Sequence, residues 1–386
     1  MKLLIIYHAG LAEDAKAIFR EYARQGVDLT VIVPSEFYSL SGRCFKYSRK
    51  DDEKTYRFIP IDLKTGFKFF RLFQAIKQIK PDVIHVLDEY SSIYLTQTIL
   101  CRNILYGKKV PVFTHAFQNI PFKSPPFVFE FSLRFFKRII YKIFYPLIFW
   151  YHNKNVNGVA GSNSEALLNV KNLNPNVPTR LIFWGVDLKE FFPKNRGVCR
   201  EKLGIPKDIK LLGYFGRIIE LRGLDKLVRA ISEINDCHLM IVGNGEYEDQ
   251  LNRLIASLGI QHKVYWQNNV KPSEILDYYN CIDAFVFPSQ TTPTCKEQYG
   301  RVLVEAMSCQ IPIVGSNSGA IPEVLNGYPK HLILREDSMD DLVDKLNKIT
   351  NLKFPENFDV NKFLYKFSVE NFVFEHIKFY KNLLTK

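Results

Sequence analysis

Two rounds of alternating apolar runs and helix-like segments constrain the fold of this chain more than any other feature. In the first half, short runs such as KLLIIY and PDVIHVL are separated by segments with helical spacing, for example EDAKAIFREYARQG. The second half repeats the alternation with KLLGYFGR, HLMIVGNG, KVYWQ, DAFVFPS, IPIVGS and HLILRE. This pattern is typical of parallel sheets that are covered by helices. At 386 residues, the chain is long enough for two such domains.

The alternation predicts an α/β fold with two Rossmann-like domains and a terminal helix. The first domain is assigned to residues 1–190 and the second to residues 197–365. The stretch from Phe191 to Gly197 begins a charged segment without apolar periodicity in its first part, which favours a linker. Residues 366–386 place apolar side chains at three- and four-residue spacing, so a helix is predicted there.

The charge balance of the chain is basic, with a formal net charge of +12 and a pI near 9.2. Three kinds of acidic partner fit this charge: nucleic acid, an anionic lipid surface and a phosphorylated substrate. The sequence contains no helix-turn-helix, zinc-ligand or RNA-binding pattern, so we expect no nucleic-acid partner. Salt-dependent binding to plain DNA would restore that alternative.

The cysteines and the N-terminus favour a cytoplasmic protein. The seven cysteines form no Cys-x2-Cys pair, so neither a disulfide framework nor a zinc knuckle is expected. Met1 leads directly into an apolar run without the basic start and long apolar core of a signal peptide. No Asp-x-Asp triplet occurs, so the sequence gives no indication of a metal-bridging site.

The stretch from Asp283 to Leu325 is predicted to form a strand, a loop, a helix and a second strand. Two apolar runs, DAFVFP and IPIVGS, bracket a segment with helical spacing. Gly300 is placed at the helix start, where free backbone N–H groups and the positive end of the helix dipole favour an anion. A phosphate fits this position, and the carboxylates of Glu297 and Glu305 can hold neutral hydroxyls on either side of it.

The segment KEQYGRVLVEAMSCQIPIVGSNSGAIPEV resembles the Glu-x7-Glu signature of family-4 glycosyltransferases, which are retaining, nucleotide-sugar-dependent enzymes with the GT-B fold. The resemblance implies two Rossmann-like domains whose parallel sheets face an interdomain cleft, with the last helix crossing back to the N-terminal domain. It also implies that Glu297 contacts the donor sugar and Glu305 binds the ribose hydroxyls. The backbone expected to hold the diphosphate comprises Gln298, Tyr299, Gly300, Arg301, Val302 and Leu303. The structural alternative is a glutamate that caps its own helix beside a surface glutamate.

Basic side chains and a glycine turn follow two other predicted strands of the second domain. The sequence GRIIELRG resembles the GR-x4-KG motif of the family, with Arg222 in place of the lysine. Arg217 and Arg222 are therefore predicted to neutralise the leaving diphosphate, an interaction that strengthens in the transition state. In VGNGEYEDQL, we predict donor contacts from Gly243, Asn244 and Gly245, although a Gly-x-Gly turn is commonly only a tight turn.

Four residues of the first domain are candidates for the other side of the site. His115 ends the strand VPVFTHA, where open α/β sheets place ligand-binding residues. The family often carries a histidine there, so the resemblance implies a catalytic position near the reacting sugar; a structural histidine is the alternative. Gly10, in the turn after the first strand, is predicted to border the donor. His85 and Glu89 lie near the end of PDVIHVL, the predicted strand before VPVFTHA. They are assigned to the acceptor side, and a structural role is equally open.

The segment from Pro121 to Asn155 is basic and dense in aromatic residues, with six Lys or Arg against one Glu. Its longest uncharged run, IFYPLIFWYH, contains a proline and is shorter than the ~20 residues that span a bilayer. Two interpretations are open. Either the segment lies in a membrane interface beside anionic headgroups, or its apolar side chains pack in the core while the basic ones are solvated.

Together these features predict a metal-independent, retaining hexosyltransferase. It would move a sugar from a UDP- or GDP-linked donor to a glycan or lipid-linked acceptor, with the nucleotide sugar as co-substrate and no bound cofactor. The resemblance implies a role in surface polysaccharide, lipopolysaccharide or glycolipid synthesis, in the cytoplasm or as a peripheral protein on the inner face of the membrane. A catalytically silent GT-B scaffold and a nucleotide-sugar epimerase are the alternatives.

Overall fold

The chain folds into two compact units in a computed structural model that describes residues 1–38, 44–48, 55–61, 69–121 and 146–384. Unit 1 comprises Met1–Phe183 and Val369–Lys386, and unit 2 comprises Trp184–Ser368. Of the predicted membrane segment at 121–155, residues 122–145 lie outside the described residues.

The boundary between the units falls before the predicted linker. Trp184 belongs to unit 2, because its carbonyl accepts a hydrogen bond from the Tyr299 hydroxyl at 2.7 Å. Val186 is also paired there, through a parallel β-bridge with Ser368. Residues 184–190, which are predicted from the sequence to belong to the first domain, therefore lie in unit 2.

Unit 1 is built on a parallel sheet. Its described strands are β1 Lys2–Ile6, β2 Asp28–Val33, β3 Glu36–Tyr38, β4 Cys44–Lys46, β5 Tyr56–Pro60, β6 Val83–Val86, β7 Val112–Ala116, β8 Gly158–Gly161 and β9 Thr179–Leu181. The main sheet has the order β5-β2-β1-β6-β7-β8-β9, and β3 and β4 form a separate antiparallel pair. The described helices are α1 Glu13–Arg24, α2 Phe69–Ile79, α3 Ile93–Tyr106, α4 at residues 146–155, α5 Ser164–Leu173 and, from the chain end, α14 Val369–Leu384.

The strands of unit 1 form because apolar runs are buried on both faces of the sheet. Leu3, Leu4 and Ile5 of β1 have no exposed surface. Burial on both faces is typical of parallel sheets, whose crossover helices cover each side. In α1, Ile18 and Tyr22 are four residues apart and both buried, so this helix presents an apolar face to the sheet.

Helix α14 packs on unit 1, although it follows unit 2 in the sequence. Its Tyr380 hydroxyl lies 3.2 Å from that of Tyr22 in α1 and 2.6 Å from Nδ1 of His85 in β6. Phe379 packs over Gly158 of β8, where a Cβ would stand 2.8 Å from the phenylalanine ring. Glycine at this position therefore lets the helix approach the sheet, as expected for a terminal helix that returns to the first domain.

Unit 2 contains the second parallel sheet. Its strands are β10 Lys210–Phe215, β11 Cys237–Val242, β12 Val264–Gln267, β13 Ala284–Phe287, β14 Ile313–Ser316 and β15 His331–Leu334, in the order β12-β11-β10-β13-β14-β15. Its helices are α6 Arg196–Lys202, α7 Leu224–Glu233, α8 Glu248–Ser257, α9 Ile275–Cys281, α10 Arg301–Ser308, α11 Ile321–Leu325, α12 Met339–Lys348 and α13 Val360–Leu364. The predicted α/β fold with two Rossmann-like domains is confirmed. The facing of the two sheets across a cleft stays a prediction.

Each sheet has a topological switch point. In unit 1 the chain runs outward from β1 through β2 to β5 and then restarts at β6, on the other side of β1. In unit 2 it runs outward from β10 through β11 to β12 and restarts at β13, on the other side of β10. The loops that follow the two central strands diverge, and open α/β sheets bind ligands in the resulting crevice at the carboxyl ends of the strands. The fold therefore marks one crevice in each unit, between β1 and β6 and between β10 and β13.

Candidate active site

The switch point of unit 2 gathers most of the predicted donor-binding residues. Arg217 and Arg222 lie in the loop after β10, and the stretch Glu297–Leu303 follows β13. Because β10 and β13 are parallel neighbours, both loops leave the same edge of the sheet. The turn Gly243–Gly245 follows β11, the neighbour of β10 on the other side. Three segments that the sequence predicts separately thus meet at one edge.

The loops after β10 and β11 are in direct backbone contact. The N–H of Ile218 donates to the carbonyl of Asn244 at 2.8 Å. Gly243, with φ +141°, approaches Gly216 so closely that a Cβ would stand 1.9 Å from the Gly216 carbonyl oxygen. A Cβ on Gly245 would stand 2.2 Å from the carbonyl oxygen of Ile218. The two glycines are therefore required for contact between the loops, a structural role beside the predicted donor contact.

Arg222 is held by three groups around β13. Its Nη1 donates to Oγ of Ser289 at 2.9 Å and forms an ion pair with Glu297. Its guanidinium carbon lies 5.1 Å from the centre of the Phe287 ring. Burial alone lowers the pKa of Arg222, but the Glu297 carboxylate and the nearby Tyr214 outweigh burial and raise that pKa. Arg222 therefore stays charged and fixes the orientation of Glu297.

Arg217 is placed differently from Arg222. Its side chain is half-buried, and no carboxylate among the described residues forms an ion pair with it. Its carbonyl accepts a hydrogen bond from the Tyr214 hydroxyl at 2.7 Å, which fixes the loop backbone. Burial raises the pKa of Tyr214, so this hydroxyl keeps its proton and remains a donor. The charge of Arg217 is thus available to an anionic ligand at this edge.

The predicted glycine, Gly300, is the N-cap residue directly before α10. Gly300 has a φ of +76°, in the left-handed region, and offers no side chain to cap the first turn. In this turn the N–H of Leu303 donates to the Gly300 carbonyl at 2.8 Å. The first N–H groups of a helix otherwise lack intrahelical acceptors and lie at the positive end of the helix dipole, so they suit an anion. The preceding Tyr299 is buried and donates its hydroxyl to the carbonyl of Trp184. Tyr299 is thereby anchored through its side chain, and its backbone N–H donates to Oε1 of Glu297 at 3.4 Å.

Glu305 lies in the second turn of α10 and is nearly buried. Its Oε2 accepts a hydrogen bond from the Tyr279 hydroxyl at 2.6 Å, and its Oε1 pairs with Nε of Arg301 at 3.0 Å. Burial, reinforced by the charge of Glu305, raises the pKa of Tyr279 well above its usual value, so that hydroxyl remains a donor. Each carboxylate oxygen has two acceptor positions, which leaves capacity for a ligand hydroxyl.

The switch point of unit 1 contains Glu89 and Gly10. The Glu89 carboxylate follows β6 and accepts a hydrogen bond from the Phe117 N–H at 3.2 Å. Burial, together with the charge of Asp88, raises the pKa of Glu89 to about 8. Gly10 follows β1, and a Cβ there would stand 2.7 Å from Cγ1 of Val33. Close packing thus explains why position 10 is a glycine. Glu89 is a carboxyl group that holds its proton near neutral pH.

His85 and His115 are buried inside unit 1, with no exposed side-chain surface. Nε2 of His115 lies 2.8 Å from Oγ of Ser162, and its ring centre is 5.5 Å from that of His376 in α14. Burial lowers the pKa of both His85 and His115 well below the usual value, so both rings are neutral. Contact of either ring with a sugar requires displacement of packed neighbours, and the assigned catalytic and acceptor roles stay predictions.

Three supporting residues have no signal in the sequence. Tyr214 lies inside an apolar strand, Tyr279 inside a short helix, and Ser289 in the loop after β13. Their partners are distant along the chain; Arg222 and Ser289, for example, are 67 residues apart. These contacts follow from which strands are neighbours, so only the topology reveals them.

Comparison with known proteins identifies the unit that carries this site. The family model for glycosyl transferases group 1 matches residues 195–362, a stretch that contains all the predicted donor-binding residues except Gly10. The matched stretch covers most of unit 2 and less than half of the chain. The arrangement of arginines, helix start and glutamates described above therefore lies in the part of the chain that matches this family model.

Curated relatives are similar to this chain over part of their length. A D-inositol 3-phosphate glycosyltransferase of Corynebacterium jeikeium is 29% identical over 184 residues, which cover 44% of this chain and 43% of the relative. A glycosyltransferase of Methanocaldococcus jannaschii is 29% identical over 248 residues, 60% of each chain. A GDP-mannose-dependent monoacylated alpha-(1-6)-phosphatidylinositol monomannoside mannosyltransferase of Corynebacterium glutamicum is 27% identical over 174 residues, 43% of this chain and 44% of the relative. The chain thus spans less than two thirds of the length of these relatives.

Solved structures share the fold over the full length. Sucrose-phosphate synthase from Thermosynechococcus elongatus superimposes with a TM-score of 0.68 at 16% identity, covering 100% of this chain and 99% of the synthase. HepE from Anabaena, crystallised with UDP, gives a TM-score of 0.73 at 14% identity, covering 99% of this chain and 100% of HepE. At these identities the likeness shows the fold alone, which is GT-B.

Proposed function

We propose that this protein is a retaining glycosyltransferase that moves a sugar from a nucleotide diphosphate sugar to a glycan or lipid-linked acceptor. The observation that carries the proposal is the set of groups at the switch point of unit 2. Arg217 has no ion pair among the described carboxylates, Arg222 is paired with Glu297, and Gly300 is the N-cap of α10. This set offers positive charge and N–H groups to a diphosphate beside a carboxylate that suits sugar hydroxyls.

In the proposed reaction, the bond between the anomeric carbon and the phosphate oxygen breaks while the acceptor hydroxyl attacks the same face. The acceptor proton passes to the departing phosphate oxygen, so configuration is retained without a covalent enzyme intermediate. Arg217 and the start of α10 stabilise the negative charge that grows on the diphosphate. Arg222 orients Glu297 toward a donor-sugar hydroxyl, and Glu305 binds the ribose hydroxyls. The two arginines and the helix take the place of a metal ion.

The donor class is supported by the names and contents of similar proteins. HepE binds UDP in its crystal structure, and another HepE structure contains UDP-glucose. The C. glutamicum relative is named as GDP-mannose-dependent. We therefore propose a UDP- or GDP-linked sugar as the donor.

The acceptor class is supported by an exposed apolar face on α4. Leu147 and Trp150 are each 56% exposed, and Nζ of Lys154 lies 4.1 Å from the Trp150 ring centre. Aromatic and basic side chains in one helix suit the interface of an anionic membrane. None of the helices in the described part of the chain combines the length and apolar composition that a bilayer crossing requires. We propose peripheral binding to the inner face of the cytoplasmic membrane, where a lipid-linked acceptor in polysaccharide, lipopolysaccharide or glycolipid synthesis would be reached.

The proposal is tested with the full chain and a panel of UDP- and GDP-sugars in the presence of a chelator. We expect acceptor-dependent release of the nucleotide from at least one donor, and loss of that release in Arg217→Ala. The matched control is Arg253→Ala, because Arg253 is an exposed arginine on α8 outside the predicted site. Neither binding nor turnover of any donor would contradict the proposal and favour a silent scaffold. Conversion of the donor without an acceptor requirement would favour an epimerase.

A further inference from the structure

Three buried histidines meet beneath α14 in unit 1. His85 comes from β6, His115 from β7 and His376 from α14, and none has an exposed side chain. The nitrogens that each ring offers as a ligand lie within 4.8 Å of one another. Among the described residues, no other group of three His, Cys, Asp or Glu side chains converges in this way. The cluster therefore brings together three potential nitrogen ligands from distant parts of the chain.

Two of the rings are anchored through Nδ1. Nδ1 of His376 lies 2.8 Å from the Phe372 carbonyl, which can only accept a hydrogen bond, so Nδ1 carries the proton and Nε2 has a lone pair. Nδ1 of His85 lies 2.6 Å from the Tyr380 hydroxyl. Histidines that bind metals are usually held in this manner, with the second ring nitrogen bonded to a carbonyl or another polar group.

The remaining nitrogens have the properties of metal ligands. Nε2 of His85 and Nε2 of His376 are buried and have no hydrogen-bond partner among the described residues. A buried polar nitrogen without a partner is unfavourable, because it has lost its hydration and gained nothing in return. His115 contributes the third imidazole, and its Nε2 lies 2.8 Å from Oγ of Ser162.

We propose that His85, His115 and His376 bind a divalent transition-metal ion of the zinc type. Three imidazoles suit Zn²⁺, Co²⁺ or Ni²⁺. Bonds of about 2.0–2.1 Å in a tetrahedral arrangement place ligand nitrogens about 3.4 Å apart, so binding would draw the rings inward from the present limit of 4.8 Å. The ion would tie α14 to β6 and β7, and it would have no part in holding the diphosphate, which the arginines of unit 2 are proposed to do.

The experiment is a cobalt titration of the untagged full chain after removal of metals with a chelator. We expect visible absorption bands that saturate at one Co²⁺ per chain and disappear when Zn²⁺ is added. X-ray absorption of the zinc-loaded protein should show nitrogen ligands at about 2.0–2.1 Å. His376→Gln should weaken binding by more than about 100-fold, the upper limit for loss of an outer partner, and Tyr380→Phe by about tenfold.

The matched control is His152→Gln. His152 is also fully buried in unit 1, but both of its ring nitrogens are bonded, to the Tyr90 carbonyl and to Thr96 Oγ1, each at 2.8 Å. Cobalt binding should be unchanged in this variant. The proposal is overturned if the metal-free wild type takes up no cobalt, or if uptake persists in folded His376→Gln. If His376→Gln fails to fold, two other measurements test the proposal: the X-ray absorption spectrum of the zinc-loaded wild type and the cobalt affinity of Tyr380→Phe. Fewer than three nitrogen ligands in the spectrum, or an affinity equal to that of the wild type, would overturn the proposal.

Discussion

Replacement of Arg217 by alanine tests whether its charge acts on the diphosphate without contributing to the stability of the fold. The side chain of Arg217 is half-buried and has no ion pair with a described carboxylate, so its loss leaves no buried charge without a partner. We expect the free energy of unfolding to change by no more than about 0.5 kcal/mol. Arg222→Ala gives the contrast, because the side chain of Glu297 is only 9% exposed and would lose its cation, at a cost of about 3–5 kcal/mol.

The catalytic effect of Arg217→Ala is expected to be large. The diphosphate becomes more negative as the sugar leaves, so a cation beside it contributes more in the transition state than in the bound donor. Loss of one such preorganised group typically lowers kcat by about 10²–10³, or about 2.7–4 kcal/mol. We expect a fall of about 100-fold or more in kcat and a smaller rise in the KM for the donor, since Arg222 and the start of α10 still hold the ground state.

The assay combines initial rates of nucleotide release with urea unfolding for the wild type, Arg217→Ala, Arg222→Ala and Arg253→Ala. The exposed Arg253 should be neutral in both measurements. A kcat for Arg217→Ala within about threefold of the wild type would refute the proposed role of its charge, since such a ratio corresponds to less than 1 kcal/mol. Equal destabilisation by Arg217→Ala and Arg222→Ala would refute the distinction between the paired and the unpaired arginine.

Three further predictions concern other parts of the molecule. Gly243→Ala should destabilise unit 2 by about 1–3 kcal/mol and weaken nucleotide binding, because its Cβ would stand 1.9 Å from a carbonyl oxygen; an unchanged melting temperature would contradict this. Protonated Glu89 should contribute stability that is complete below its unfolded-state pKa of about 4.3 and is lost as the pH rises through about 8. The urea midpoint of Glu89→Gln should therefore rise relative to that of the wild type across this pH window, and a difference in midpoint that does not change with pH would contradict this. Leu147→Ser combined with Trp150→Ser should reduce sedimentation with anionic vesicles, whereas Tyr365→Ser, which alters an exposed aromatic residue of unit 2, should not.

Much of the fold could be predicted because strands buried on both faces appear as continuous apolar runs. The predicted run KLLII corresponds to β1 and KLLGYF corresponds to β10. The loops that contain Gly10 and Arg217 follow these two strands. The strand β5 was not predicted. Its sequence YRFIP follows a charged stretch, and the strand lies at the edge of its sheet with Arg57 exposed. An edge strand needs fewer apolar side chains, so its sequence resembles that of a loop.

The candidate site could be predicted in its segments but not in its contacts. Arg222 and Glu297 are 75 residues apart and were assigned separate roles, whereas the structure pairs them because β10 and β13 are neighbours. Gly243 was interpreted as a donor contact, and the structure adds a packing reason for it. His115 was placed at a strand end that usually faces a ligand, yet α14 covers it. That helix comes from the far end of the chain, and no local pattern around His115 indicates its arrival.

The central claim is that the arginines and the α10 start of unit 2 hold a nucleoside diphosphate. Isothermal titration of UDP and of GDP into the wild type and into Arg217→Ala tests it most directly. We predict one site per chain for at least one of the two nucleotides, and binding weaker by about tenfold in the variant, as loss of a charge-assisted contact of about 1.4 kcal/mol implies. Binding of neither nucleotide, or equal affinity in both proteins, would contradict the claim.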